Sequence, residues 1–186
     1  MKSFFDLTVS LTALIICLLP ILFLVLAIRI SSNESIFFWS RRVGVNNKIF
    51  YMPKFRTMRS DTPQLASHLM KDADNFYTPL GRFLRKSSLD ELPQLISIIK
   101  GDMSLVGPRP ALFNQEDLIE LRSKKGIEKL KPGLTGWAQV NGRDEISIPL
   151  KVELDFEYLQ RKSFFFDLYI ILRTLLKVIK KDSVSH

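Results

Sequence analysis

The chain has 186 residues, 46% of them hydrophobic, with 27 Lys and Arg against 19 Asp and Glu and a formal net charge of +8. That length suffices for one domain with a buried core, and the excess of basic groups (isoelectric point near 9.7) points to an anionic partner: nucleic acid, a phospholipid surface or a phosphorylated substrate. One cysteine and two histidines, Cys17, His68 and His186, exclude a disulfide, a zinc site of three or four ligands and a Cys-His or Ser-His pair of ordinary spacing, so any metal must be hard and oxygen-bound.

The first element is an uncharged run from Leu7 to Ile28, dominated by Leu, Ile, Val and Phe. As a helix it measures roughly 33 Å, enough for a hydrocarbon core of about 30 Å. A signal peptide is the competing reading, with Lys2 as a thin basic region and Val25-Leu26-Ala27 as a cleavage site, but the run exceeds the usual ~7–15 residues. Pro20 near its middle removes a backbone hydrogen bond and crowds the carbonyl of Ile16, which predicts a kink there. A kinked helix can cross the membrane or bend back into the leaflet it entered, and the residues alone leave both open. Arg29, Arg41, Arg42 and Lys48 follow the run while only Lys2 precedes it, which places the C-terminal body on the inner side.

From Ser31 onward the composition is that of a single α/β body without repeats. Ser35 to Trp39 and Lys48 to Phe55 read as two strands of a hairpin, with a turn from Arg41 to Asn47. Thr62 to Asp74 has helical spacing or forms a loop. Phe76 to Lys86 predicts a basic amphipathic helix, lying either on the core or on a membrane surface. Leu92 to Lys100 predicts a buried helix ended by Gly101. Phe164 to Lys181 predicts a helix with a wide apolar side and a cationic remainder, docked on the core or lying on the bilayer.

Three polar segments can carry chemistry. In Arg85-Lys86-Ser87-Ser88-Leu89-Asp90-Glu91-Leu92-Pro93-Gln94, Ser88 and Glu91 fit a capping box, and acidic residues suit a first helical turn. The functional alternative gives one carboxylate to attack phosphorus or hold Mg²⁺ and the other to hold metal or position a reactant, amid the cations phosphoryl transfer needs. In Gly101 to Pro110, two prolines flank Arg109 and fix the backbone around a guanidinium suited to bidentate phosphate binding. In Lys131 to Arg143, three glycines allow backbone amides to approach a ligand, and Trp137 is either core or a base-stacking platform. Neither a P-loop nor a Rossmann glycine pattern is present.

The apolar segment with Pro20, Lys54-Phe55-Arg56-Thr57-Met58, Ser88 to Gln94, Gly101 to Pro110 and Lys131 to Arg143 together resemble the bacterial sugar transferases known as monotopic polyprenol-phosphate phosphoglycosyl transferases, over nearly the whole chain and at the size of the minimal catalytic form. The resemblance implies an α+β, mostly helical fold with a re-entrant membrane helix (1–30), a cytoplasmic catalytic domain (31–186), amphipathic interfacial helices and a small β-hairpin or sheet around the active site. It implies ping-pong transfer of a sugar 1-phosphate from a UDP-sugar to undecaprenyl phosphate, releasing UMP and starting lipid-linked glycan assembly at the bacterial inner membrane. Asp90 is then the nucleophile, and Glu91 completes the dyad and helps hold Mg²⁺ or position the polyprenyl phosphate. Arg109 grips phosphate; Arg85, Lys54 and Arg143 contact phosphate or nucleotide; Trp137 and Gln139 serve the uridine side. Pro20 is the bend that keeps both ends in the cytoplasm. Members commonly carry Ser before this proline where Leu19 stands here, so one support for the freed carbonyls is lost. The identity of the sugar and the oligomeric state, a homodimer included, are left open.

Two other classes fit the charge: a non-catalytic module holding anionic lipid through its basic C-terminal helix, and a nucleic-acid binder. No groove-reading or aromatic-platform motif supports nucleic acid.

Overall fold

The computed structural model describes residues 2–63, 73–142 and 146–179. The apolar run folds as two helices, α1 (Lys2–Ile16) and α2 (Leu18–Ser31), bent by 59°. Neither is long and apolar enough alone to cross a membrane, though the pair together is. The break falls at Cys17, one turn before the proline, and Pro20 sits in the first turn of α2, where a backbone N–H has no helical partner anyway. The predicted kink is therefore present but displaced toward the N-terminus, because the ring acts on the preceding turn.

Both ends of the bent pair are fastened to the rest of the chain. Asp6, buried in α1, accepts a 2.7 Å hydrogen bond from Ser104, and Lys2 pairs with Asp167 and donates to the Val106 carbonyl at 3.1 Å. Leu24 and Ile28 of α2 pack with Phe55 and Leu84. Around the bend Ile15, Ile16, Leu18, Leu19, Leu22 and Phe23 stay exposed.

A hairpin follows, β1 (Phe37–Val43) and β2 (Ile49–Phe55), antiparallel with Ser40 opposite Met52. Arg41, Arg42 and Val43 were expected in the turn and instead extend the strand. Arg41 stacks over the Phe113 ring, and Arg42 bridges to Leu112 across the strand edge. The reversal is confined to residues 44–48, where Asn46 and Asn47 take left-handed φ of 52° and 58°.

The helix expected from Phe76 begins only at Gly81, as α3 (Gly81–Lys86). Pro79 disfavours helical geometry at Thr78, whose N–H donates to Thr57 at 3.0 Å. The segment expected as helix or loop from Thr62 to Asp74 lies largely outside the described residues. A 3₁₀ segment, Leu89–Gln94, leads into α4 (Leu95–Lys100), which ends at Gly101 with φ 86°, as the glycine predicts.

A parallel pair, β3 (Ser104–Val106) and β4 (Gly133–Thr135), forms the second sheet, with α5 (Glu116–Lys124) between. A four-residue turn, α6 (Trp137–Val140), then precedes α7 (Ile148–Arg161) and α8 (Phe164–Ile179). The fold is thus mostly helical α+β with two small sheets, as expected. Its main core joins Met52, Leu95, Ile98, Met103, Val106, Val140, Tyr158, Phe166 and Ile170. Helix α8 buries Phe166, Asp167 and Ile170 and leaves Phe165, Leu172, Leu175 and Val178 exposed. It is docked along one side and apolar on the other.

Two of the three glycines of the third motif, Gly133 and Gly136, face backbone. A Cβ on Gly133 would lie 2.1 Å from the Gly107 nitrogen, and one on Gly136 would lie 2.1 Å from the Gly107 carbonyl oxygen. These residues allow β3 and β4 to approach more closely than any side chain permits.

Candidate active site

Ser88 adopts φ 57° and its side chain makes no capping bond. The capping-box expectation therefore fails: the left-handed residue turns the chain sharply after α3, and the 3₁₀ segment that follows packs its acidic residues against β2. Asp90 is 6% exposed. In β2, alternation puts Lys54 on the side of the strand opposite Pro53, facing that segment.

Lys54 is the centre of the cluster. Its ammonium lies 2.8 Å from Glu91 Oε1 and 3.9 Å from Asp90 Oδ2, and Glu91 Oε1 also meets the Arg109 guanidinium at 3.3 Å. Burial pushes the Lys54 ammonium below its ordinary value, with Glu91 and then Asp90 opposing. Burial likewise raises the Asp90 carboxyl, against the pull of Lys54. The molecule thus holds a desolvated carboxylate beside a second one whose charge is shared between a lysine and an arginine.

The other sequence-nominated residues divide by position. Arg85 donates to the Tyr77 hydroxyl at 3.2 Å and lies near enough for its charge to favour ionised Asp90. Trp137 stands elsewhere: its indole N–H donates to Glu157 at 2.7 Å and its ring packs on Phe166 and Tyr169. Gln139 donates to the Leu134 carbonyl at 3.0 Å. The structure brings Lys54, Asp90, Glu91 and Arg109 together, with Arg85 nearby, and places Trp137 and Gln139 against β4, α7 and α8. Arg143 lies outside the described residues.

Two groups escaped the sequence reading. Arg42, counted there only as a basic flank, lies close enough to Lys54 for its charge to disfavour the ammonium. Arg122 and Asp155 form a buried pair at 2.6 Å; nothing local in the sequence ties Arg122 to a carboxylate on α7.

Two adjacent carboxylates are hard oxygen donors, too few to enclose a cation, and no group of three His, Cys, Asp or Glu able to hold a metal occurs among the described residues. That donor set fits Mg²⁺, which keeps several waters and shares its shell with substrate phosphate oxygens. A carboxylate pair among cations can attack phosphorus, neutralise phosphate charge and orient a leaving group.

Comparison with known proteins bears on this geometry. The model of the family described as bacterial sugar transferase matches residues 1–181. An uncharacterized sugar transferase, EpsL, of Bacillus subtilis is 41% identical over all of this chain and 91% of its own length. ExoY, an exopolysaccharide production protein of Sinorhizobium fredii, is 36% identical over 94% of this chain and 83% of its own. The UDP-glucose:undecaprenyl-phosphate glucose-1-phosphate transferase of Escherichia coli is 37% identical over 89% of this chain, which spans only 38% of that longer enzyme. A match that runs from the bent helices through the carboxylate cluster to α8 leaves one assignment: the chain belongs to the bacterial sugar transferase family and is a transferase of that family.

Proposed function

We propose that the chain is a monotopic phosphoglycosyl transferase that moves a sugar 1-phosphate from a UDP-sugar to undecaprenyl phosphate. The observation that carries this is the cluster itself: buried Asp90 beside Glu91, with Lys54 and Arg109 both on Glu91. In the first half-reaction an Asp90 carboxylate oxygen attacks the sugar-proximal phosphorus. The bond from that phosphorus to the bridging oxygen breaks, and UMP leaves with the electron pair. In the second, an oxygen of undecaprenyl phosphate attacks the same phosphorus and frees Asp90. Lys54 and Arg109 neutralise phosphate charge, and Glu91 orients them both. Mg²⁺, held by Asp90 and Glu91, supplies further charge neutralisation when bound. Arg85 and Arg143 serve phosphate or nucleotide, and Trp137 and Gln139 shape the uridine side through the elements they support.

The bent pair supports a re-entrant placement, residues 1–30 dipping into the inner leaflet and residues 31–186 on the cytoplasmic face. Both its ends are tied to one body, by Asp6 to Ser104 and by Leu24 and Ile28 to Phe55 and Leu84. The bend, carrying Leu19 before Pro20, presents apolar side chains outward. The exposed side of α8 extends the same apolar surface into a lipid headgroup region.

The test is UMP release by the full chain in nanodiscs, given undecaprenyl phosphate, Mg²⁺ and a panel of UDP-sugars. Release from one donor, abolished by EDTA and in Asp90→Asn while the circular dichroism spectrum is unchanged, is the expected result. Full turnover by Asp90→Asn overturns the covalent mechanism.

A further inference from the structure

We propose that Arg122, aimed by Asp155, is a positioning residue that sets the direction of the Arg109 side chain; this rests on the reading of Arg109 as a phosphate-binding group. The segment from Gly107 to Ala111 has no place in a regular ladder beyond its first residue, and prolines on both sides of Arg109 carry no N–H with which to hold it. Its orientation is fixed through its carbonyls instead. The Pro108 carbonyl accepts from the Gly133 N–H at 2.9 Å, and the Ala111 carbonyl accepts from the Val43 N–H at 3.0 Å. Between these two backbone bonds, the remaining two carbonyls are held by guanidinium groups. Arg122 Nη1 donates to the Arg109 carbonyl at 2.8 Å, and Arg42 Nη1 donates to the Pro110 carbonyl at 3.0 Å.

The Arg122 fork is itself over-determined. Its Nε and Nη2 both donate to Asp155 Oδ2, at 3.0 and 2.6 Å, which leaves Nη1 directed at the Arg109 carbonyl. The pair is buried: Arg122 is 8% exposed and Asp155 1%. A buried ion pair is a weak device for stability, since well-packed apolar residues of similar volume often replace one at no cost or to advantage. What apolar residues cannot supply is the third bond, the one to the peptide of the residue whose side chain meets Glu91 at 3.3 Å. Lysine at position 122 could hold Asp155, but a single ammonium lacks the planar fork that serves two acceptors in fixed directions.

A role confined to clamping α5 on α7 predicts the opposite pattern, so stability and ligand binding are measured on the same variants. The probe is UDP with Mg²⁺, titrated calorimetrically into the full chain in nanodiscs, with thermal unfolding followed in parallel. The paired variant Arg122→Met/Asp155→Leu is expected to unfold only a few degrees below the wild type, the cost of the one carbonyl left unpaired at Arg109, yet bind UDP about tenfold to a hundredfold more weakly, the range for losing a hydrogen bond to a charged group. Adding Arg109→Ala to it is expected to cost nothing further, because both changes remove the same interaction. Wild-type affinity in the paired variant, or losses that add with Arg109→Ala, overturns the proposal. If the paired variant does not fold, Arg122→Lys is put through the same cycle, with the same two outcomes deciding. Undiminished UDP binding by Arg109→Ala alone places the fault in the phosphate reading of Arg109 and takes the positioning role down with it.

Discussion

Asp90 and Lys54 show how burial and charge oppose each other at one site. Desolvation raises the carboxyl, and Lys54 limits the rise. In the metal-free protein, Lys54→Met is therefore expected to move the Asp90 titration to still higher pH, read by carbon NMR of labelled aspartate; an unchanged or lower midpoint would contradict it. The sign for stability follows. A carboxyl whose folded-state pKa lies above its ordinary 3.8 opposes folding once ionised, so its contribution worsens as pH rises from about 3.8 through the raised value. The acidic pair was legible in the sequence as a chemical option, but its sequence spacing favoured a helix cap. The left-handed backbone of Ser88 removes the cap, and a lysine thirty-six residues upstream of Asp90 faces the pair; a local pattern encodes neither.

At the scale of elements, periodicity located the hairpin, α4 and α8, because each has an apolar face of regular spacing, and the hairpin and α4 are bounded besides by a turn and a glycine. It misjudged boundaries where a neighbour in space intervened: Arg41 and Arg42 stay in β1 through Phe113 and Leu112, and α3 starts late because Pro79 excludes helix at Thr78. Gly133 and Gly136 of the third motif were read as ligand-facing because sequence does not reveal which backbone approaches which. Their real constraint gives a prediction. Gly133→Ala puts a methyl group 2.1 Å from the Gly107 nitrogen, and the strand pair that carries the Arg109 loop must separate. A loss of about 3 kcal/mol, equivalent to a fall of roughly 10 °C in Tm, is expected by thermal unfolding, and an unchanged Tm would refute the close approach.

Over the whole molecule, the apolar surface and the carboxylate cluster belong to one body. Lys2 reaches Asp167 in α8, and Tyr158 donates to the same carboxylate at 2.7 Å, so the first turn of α1 joins α7 and α8 at one polar node. Hydropathy alone had left crossing and returning helices open; the docking of both ends is what supports return. Protease-cleavable tags at the two termini are accordingly expected to be protected together in intact spheroplasts and cut together in inverted vesicles. An N-terminal tag cut in spheroplasts while the C-terminal one survives would mean that the helix spans.

Whether Asp90 forms a bond to phosphorus is measured most directly by intact mass after incubation with Mg²⁺ and the active UDP-sugar in the absence of undecaprenyl phosphate. A mass increase equal to one sugar phosphate is expected, mapped to the peptide containing Asp90, absent in Asp90→Asn and discharged when undecaprenyl phosphate is added. UMP release that requires undecaprenyl phosphate from the first turnover, with no adduct at any time, would contradict it and make the transfer a direct displacement.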